Sequence, residues 1–332
     1  MAEPTASEIL HRYTVRGLAL IRAANGQVEA VDRELRELSR EIRRTMSERS
    51  ISGATRRDLA DLLREIDSAV DASFAAIASL QAAAVAEVIE IEAAWAARAS
   101  ASAREASETA QRGAVAELLV MGASVGANWK RQAANTRWAM ATEIRAAVGA
   151  GQDDRTVVQR VIGVGPRGRE RGGVMESVRR NARSLADATT HTAAHAGRLA
   201  TMRANGVDSV RWFAILDAKV CPNCAMRAGK IWTIDGKPVG HNIVLPHPPP
   251  LHYWCRCLLA PLKHPAGKPP DDGGPQIDRF EDWLAGLSQD AQDRLLGDGR
   301  AQLWRDGVIT LSDLIGQRGL VLSLRELRER ID

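Results

Sequence analysis

Apolar residues recur every three or four positions along the first third of the chain, with charged residues between them. This spacing places apolar side chains on one face of an α-helix. No proline occurs between Pro4 and Pro166, so nothing in that stretch bars the backbone from helical geometry through a missing N–H. The pattern predicts long amphipathic helices that need a packing partner. One clear stripe consists of Val28, Val31, Leu35, Leu38 and Ile42.

Local breaks divide this region into three predicted helices. The first ends at Asn25-Gly26, a pair typical of a helix C-terminus. The second spans 28–49, and the third follows a break at 50–53 and continues, rich in alanine, to about Gln111. We interpret 1–112 as an amphipathic helical assembly region. A self-contained helical bundle has the same pattern and stays an alternative.

Helical spacing continues through the middle of the chain. After a less regular segment around 113–126, Asn128 is a candidate N-cap for the next helix. A further helix should begin at Asp153 or Asp154, and a long one should cover 174–205.

The pattern changes after the long helix. The segment 210–216 alternates loosely and is aromatic and β-branched, which predicts a strand with 230–234 as its hairpin partner. A segment rich in Pro, Gly and Asp over 263–275 predicts a linker, and helical spacing returns over 276–332. The predicted fold class is mainly α with a small α+β module that resembles a metal-binding domain: long N-terminal helices, a short β-hairpin and a helical C-terminal tail.

Composition adds limits to this picture. Hydrophobic residues make up 45% of the chain but aromatic residues only 4%, so alanine dominates and favours helix. The net charge of +4 is compatible with binding nucleic acid without requiring it. No run of 18 apolar residues occurs, so we expect no membrane-spanning segment. Residues 1–8 lack the pattern of a signal peptide, so we expect a reducing compartment.

All four cysteines lie close together in the sequence. Cys221 and Cys224 form a Cys-x-x-Cys turn, and Cys255 and Cys257 form a Cys-x-Cys pair after His252. Two chelating turns joined by a loop predict a tetrahedral zinc site, structural in role because four protein ligands leave no open position. Five candidates compete for four positions, with Cys221 and Cys224 the firmest pair. Free thiols and disulfides are the alternatives, and the expected compartment disfavours disulfides.

Six arginines form a basic cluster over 167–183. The segment GVGPRGRERGG has GxGxxG spacing, but it follows a predicted helix and lacks a βαβ context, so we reject a dinucleotide loop. A solvated loop and helix face is the favoured interpretation, because no aromatic residues interleave with the arginines. Non-specific binding to phosphates is the alternative. Its candidate residues are Arg167, Arg169, Arg171, Arg179, Arg180 and Arg183.

Two catalytic arrangements were considered and neither is favoured. His191 and His195 share a helix face, but Thr192 stands where a zinc protease needs glutamate, so we expect the two histidines to pack against the cysteine module. A zinc nuclease of the His-Asn-His kind presents its histidines on a strand, a loop and a helix. This chain lacks that arrangement, because proline follows His247. The candidate residues for such a nuclease are Asp217, His241 and His247. We therefore expect no enzyme.

The order of motifs around the cysteines resembles the phage Mu F-like minor head proteins, also called phage head morphogenesis proteins. The resemblance extends over about 126–332. It implies a core over 126–262, with helices in 128–205 and a hairpin and loop in 210–261. The matching positions are Asp217, Cys221, Cys224, Gly229, Lys230, Trp232, His252, Cys255, Arg256 and Cys257.

The resemblance implies a minor capsid protein of a tailed phage or phage-like particle that acts in head morphogenesis at the portal. Its expected partners are portal and capsid proteins, and non-specific contact with DNA during packaging or ejection is a further expectation. No small-molecule substrate is expected. The protein would reside in the virion after assembly in the host cytoplasm. A zinc-stabilised DNA-binding protein and the zinc nuclease are the alternatives.

Overall fold

The computed structural model describes residues 6–99, 106–166, 171–214, 219–262, 280–311, 313–314, 316 and 321–331. Four features predicted from the sequence lie outside the described residues. They are Arg167, Arg169, Asp217 and the linker over 263–275.

The fold class is confirmed, because long helices dominate and a single small antiparallel sheet occurs within the described residues. The helices before the first strand are α1 (Ala6–Ser47), α2 (Arg56–Ala99), α3 (Glu108–Ala116), α4 (Val125–Gly149), α5 (Asp154–Ile162) and α6 (Gly173–Ala204). The helices after the first strand are α7 (Pro222–Ala225), α8 (Phe280–Ala285), α9 (Gln289–Leu296), α10 (Asp298–Arg305) and α11 (Leu324–Ile331). The strands are β1 (Ser209–Phe213), β2 (Ile231–Thr233), β3 (Pro238–Val239) and β4 (Leu258–Leu262).

The predicted break at Asn25-Gly26 is wrong. Helix α1 runs through both residues without interruption, and both are exposed. A glycine inside a helix costs about 1 kcal/mol relative to alanine. Burial of the apolar stripe outweighs that cost, since Val31, Leu35 and Ile42 are fully buried.

The start of α4 also differs from the prediction. Its N-cap is Ser124, whose side chain accepts a hydrogen bond from the Ala127 backbone N–H. Asn128, the predicted cap, is buried and its amide donates to the Val120 carbonyl at 2.8 Å. The predicted cap of the next helix is confirmed, because the Asp153 carboxylate accepts from the Thr156 N–H at 2.8 Å.

The sheet confirms the predicted hairpin and adds two strands. The strand order is β3-β2-β1-β4, and Val210 in β1 faces Trp232 in β2. The sequence analysis missed β4, which pairs with all five residues of β1. Pro261 is tolerated there because β4 lies at the sheet edge, where a missing N–H does not interrupt the sheet. This pairing brings the cysteines that precede β4 to the hairpin.

The chain divides into two units, and the boundaries fall within α1, α2 and α6. The first comprises Met1–Ile21, Val88–Ala116 and His191–Asp332, and the second comprises Arg22–Glu87 and Glu117–Thr190. In the first, Trp212 and Trp232 are fully buried with ring centroids 6.3 Å apart. In the second, Phe74 and Trp129 are buried with ring centroids 6.2 Å apart.

A buried ion pair lies in the first unit. The Glu92 carboxylate accepts hydrogen bonds from Arg198 at 2.6 Å and from Arg16 at 2.8 Å. The Glu92 and Arg198 side chains are only 3% and 1% exposed. The Arg198 guanidinium also lies over the Trp95 ring, 5.1 Å from its centroid. Charges buried in this way need their partners, because an unpaired charge in the interior is strongly destabilising.

Helix α2 is long and apolar enough to cross a membrane. Its best 18-residue window has a mean hydropathy of 1.7, with 28% of that window buried. The expectation that no segment could span a membrane rested on uninterrupted apolar runs and missed this window. Core helices meet the same criterion, so one such helix is weak evidence for a span. The helix also carries the buried polar residues Gln81 and Glu92.

We predict that Gly197→Ala destabilises the first unit, because a Cβ at this position would lie 2.4 Å from the Ile89 carbonyl oxygen. Overpacking of this kind costs about 1–3 kcal/mol. The control is Gly113→Ala in α3, where a Cβ meets nothing within 4 Å. It should stabilise by about 0.5–1 kcal/mol. Denaturant unfolding measures both, and equal effects of the two substitutions would contradict the close helix contact.

Candidate metal centre

A short helical turn positions the first two cysteines. Cys221 is the N-cap of α7, and Pro222 occupies the first helical turn, where its missing N–H costs nothing. The Cys221 Sγ accepts a hydrogen bond from the Cys224 backbone N–H at 3.4 Å. Cys224 is buried, whereas Cys221 is partly exposed. The turn therefore directs both sulfur atoms to one side.

His252 closes the group from the loop that precedes β4. Its Nε2 lies 3.0 Å from the Cys221 Sγ and 3.1 Å from the Cys224 Sγ. Its Nδ1–H donates to the Tyr253 carbonyl oxygen at 2.7 Å. A hydrogen bond of this kind fixes the ring and assigns Nε2 to the cluster, as is usual for a histidine that binds metal.

The second cysteine pair reaches the same place. The Cys255 Sγ lies 3.6 Å from the Cys224 Sγ, and Cys255 and Cys257 are both buried. The ligand atoms form two groups, each within 4.8 Å: Cys221, Cys224 and His252, then Cys224, Cys255 and Cys257. Cys224 belongs to both groups, so the structure brings together all five residues that were predicted as ligands. This cluster could hold a metal ion.

The donor set and its spacing fit zinc. A zinc–sulfur distance of about 2.3 Å in a tetrahedral site separates neighbouring sulfur atoms by about 3.8 Å. The separation of 3.6 Å between Cys224 and Cys255 is close to that value. Thiolate and imidazole are the ligands that zinc prefers, and the Tyr253 carbonyl supplies the outer hydrogen bond.

Proton sharing within the cluster shifts the pKa values of its members in opposite directions. Hydrogen bonds from Cys224 and then His252 lower the pKa of the Cys221 thiol to about 5. The hydrogen bond between Cys221 and Cys224 raises the pKa of the Cys224 thiol. Hydrogen bonding with Cys221 raises the pKa of His252 to about 11. Cys221 is thus favoured as a thiolate, the form that binds metal.

Arg227 is completely buried near the cysteines and was not predicted from the sequence. Its guanidinium donates to the Asn223 carbonyl at 2.7 Å and to the Val244 carbonyl at 3.1 Å. Burial lowers the pKa of Arg227, whereas the four cysteines act to raise it. Its position three residues after Cys224, at helical spacing, was the available signal. Arg227 supplies a positive charge beside the sulfur atoms.

The two histidines of α6, His191 and His195, are buried. The His195 Nε2–H donates to the Cys257 carbonyl oxygen at 3.1 Å, which confirms the predicted contact for this residue. Burial lowers the pKa of His191 to about 4 and that of His195 to about 3. Both rings are therefore neutral at physiological pH.

The two histidines of the nuclease alternative contact backbone groups. The His241 Nε2–H donates to the Ile231 carbonyl at 2.8 Å, and its Nδ1 accepts from the Ile243 N–H at 3.1 Å. Both ring nitrogens are thus engaged with the backbone, and the ring packs edge-on against Trp232 at 4.6 Å. His247 is exposed, with Nδ1 2.8 Å from the Pro248 carbonyl oxygen. Neither histidine belongs to the cysteine groups of the described residues.

The structure separates the predicted arginine cluster. In the second unit, the Arg183 Nε donates to both Asp32 oxygens, at 2.9 and 2.8 Å. Arg179 is buried and donates to the Ser39 Oγ at 3.1 Å. Arg171 and Arg180 are exposed, and the Arg180 guanidinium donates to the Ser177 Oγ at 3.3 Å. Arg179 and Arg183 are therefore held by the fold.

Part of the chain is similar to a known protein family. Residues 138–260 match the family described as Phage Mu protein F like protein, which confirms the resemblance. The matched segment includes the second half of α4, all of α5 and α6, and the cysteine–histidine module up to β4. No curated protein and no solved structure shows significant similarity to the chain. The family match supports a phage head morphogenesis protein.

We predict that acid destabilises the first unit through its buried histidines. The folded pKa of His195 is about 3, below the value of 6.5 for a free histidine, so the unfolded chain takes up this proton first as pH falls. The stabilisation is complete above about pH 6.5 and is lost below it by about 1.4 kcal/mol per pH unit. His195→Gln keeps a donor for the Cys257 carbonyl but cannot titrate.

Denaturant unfolding of both proteins between neutral and acidic pH tests this prediction. The variant should show a shallower loss of unfolding free energy as pH falls. Both proteins keep the same cysteines and His252, so any loss of metal at low pH affects them alike. Identical pH slopes would contradict a buried, neutral His195.

Proposed function

We propose that this chain is a minor head protein of a tailed phage or phage-like particle, with its cysteine–histidine module stabilised by structural zinc. The observation that carries the proposal is the family match over 138–260. The matched segment includes all five clustered ligand residues. Family membership of this segment supports head morphogenesis, and the cluster supports a metal.

Four of the five residues make the best zinc set: Cys221, Cys224, His252 and Cys255. The His252 imidazole interacts with the sulfur atoms of the three cysteines in this set. The Cys257 sulfur groups instead with those of Cys224 and Cys255. We therefore place Cys257 beside the site, with its carbonyl oxygen accepting the hydrogen bond from His195.

Zinc in this set would have a structural role. Four protein ligands leave no position for water or substrate, so the module supports folding and no catalysis. Ligand atoms that are scattered in an unfolded chain come together only in the fold, so the free energy of metal binding adds to the stability of the module. Zinc would displace the proton shared by His252 and Cys221, and binding should weaken as pH falls.

We predict that Cys255→Ser removes the metal and that Cys257→Ser retains it. The purified full chain should contain about one zinc ion, as expected for one tetrahedral site. Elemental analysis measures the metal, and thermal unfolding measures the accompanying loss of stability in Cys255→Ser. The two cysteines are both buried and two residues apart, so each variant controls for the other. Metal loss in Cys257→Ser with retention in Cys255→Ser would refute the assignment.

The proposed partners are portal and capsid proteins, and the proposed location is the virion after assembly in the host cytoplasm. The amphipathic helices α1 and α2 are the proposed contact region, because their apolar and charged faces suit packing on another protein and they lie outside the segment that matches the family. Any contact with DNA would involve the exposed Arg171 and Arg180, because Arg179 is buried and the Arg183 charge is paired with the Asp32 carboxylate.

We predict that particles purified from the source contain this protein at low copy number. Quantitative mass spectrometry should find a few copies for each particle, comparable with the portal protein and far below the major capsid protein. The portal and capsid proteins serve as internal standards. Absence of the chain from intact particles that contain both standards would overturn the assignment as a head protein.

A further inference from the structure

The most exposed large apolar side chain of the second unit lies on α4. Trp138 is 72% exposed, although tryptophan buries a large apolar surface in most proteins. An exposed tryptophan of this kind is a common centre of binding energy in protein interfaces. Nothing in the zinc site or in the family match assigns a role to this residue.

Trp138 stands at the edge of a groove of about 710 Å³. One wall is α4 and the other is the first part of α6, with Arg160 of α5 between them. The apolar residues of the lining include Ala139, Val174 and Val178. Gln132, Asn135 and Asn181 provide amides that can both donate and accept hydrogen bonds. A groove that offers both apolar side chains and amides suits a short protein segment.

The charges beside Trp138 are positive. Arg131 and Arg145 lie seven residues before and after it, so all three share one exposed face of α4. Glu143 is the only acidic residue in α4, and its carboxylate already pairs with Arg160 at 2.8 Å. An occupant of this face would therefore gain from negative charges that flank an apolar group.

Charge also decides between possible occupants. A second copy bound antiparallel about Trp138 would bring Arg131 of one chain towards Arg145 of the other, which is repulsive. Single-stranded nucleic acid binds through successive aromatic platforms, and the groove lining contains one aromatic residue among its described members. Apolar side chains and amides between two helices fit a peptide better than a phosphate chain.

We propose that the groove between α4 and α6 binds an acidic protein segment that places an apolar side chain against Trp138. Arg131 and Arg145 attract the acidic residues of the segment, and the amides of Gln132, Asn135 and Asn181 bind its backbone. The site is separate from the cysteine–histidine module and does not depend on the head assignment.

A selection of displayed random peptides on the purified full-length protein tests this inference. The enriched peptides should combine acidic residues with an apolar residue. A fluorescent copy of the best peptide should bind with an affinity that Trp138→Ala lowers about tenfold or more, as expected for the centre of an interface. Arg145→Glu should also weaken binding, and added salt should do the same. The control is Leu119→Ala, which removes an exposed apolar side chain of the same unit outside the groove and should leave affinity unchanged.

Three results would overturn the inference. The first is a selection that yields no peptide sensitive to Trp138→Ala. The second is enrichment of basic or uncharged peptides. The third is binding of oligothymidylate that depends on Trp138 and displaces the peptide, which would assign the face to nucleic acid. Trp138 is exposed, so its replacement should leave thermal unfolding unchanged and allow a loss of binding to be interpreted.

Discussion

The crowding of ligand atoms around the Cys224 sulfur is the constraint on which the module depends. An imidazole nitrogen lies 3.1 Å from it and the Cys255 sulfur lies 3.6 Å from it. Neighbouring thiolates repel one another at such distances, so the group must share protons or bind a cation. Positive charge from His252 and from buried Arg227 already favours thiolate in this place. The α7 turn and strand β4 act together to hold these atoms close.

The local parts of this site were predictable from sequence, whereas their arrangement depended on strand pairing. The Cys-x-x-Cys turn and the β1–β2 hairpin followed from short-range patterns. Strand β4 has no alternating pattern, since four of its five residues are buried, and its sequence LLAPL contains a proline. Its pairing with β1 spans a long loop, and a pattern confined to neighbouring residues does not contain that information. Arg227 was missed because buried arginines are rare and its partners are backbone carbonyls.

Helix boundaries and side-chain partners were also hard to predict from residue type alone. At Gly26 the intrinsic preference of glycine predicted a break, but burial of Val31, Leu35 and other residues of the stripe overrode it. At Asn128 the residue type was right for a cap, yet its amide bonds to Val120 in the interior. The arginine-rich segment gives a third case, because Arg183 binds Asp32 from a helix 151 positions earlier in the chain. Each outcome was decided by burial or by a side-chain partner, and residue type at the position does not specify either.

The buried ion pair links the module to helices that come from distant parts of the chain. Glu92 of α2 accepts from Arg198 of α6 and from Arg16 of α1, and all three belong to the first unit. In the same unit, His195 of α6 donates to the Cys257 carbonyl, and Gly17 of α1 lies where a Cβ would be 3.2 Å from Leu258 of β4. Removing one partner would leave a buried charge unpaired, so these segments must fold together. It follows that any free energy gained from metal binding at the cysteines would stabilise the start of α1 and the end of α2 as well as the α7 turn.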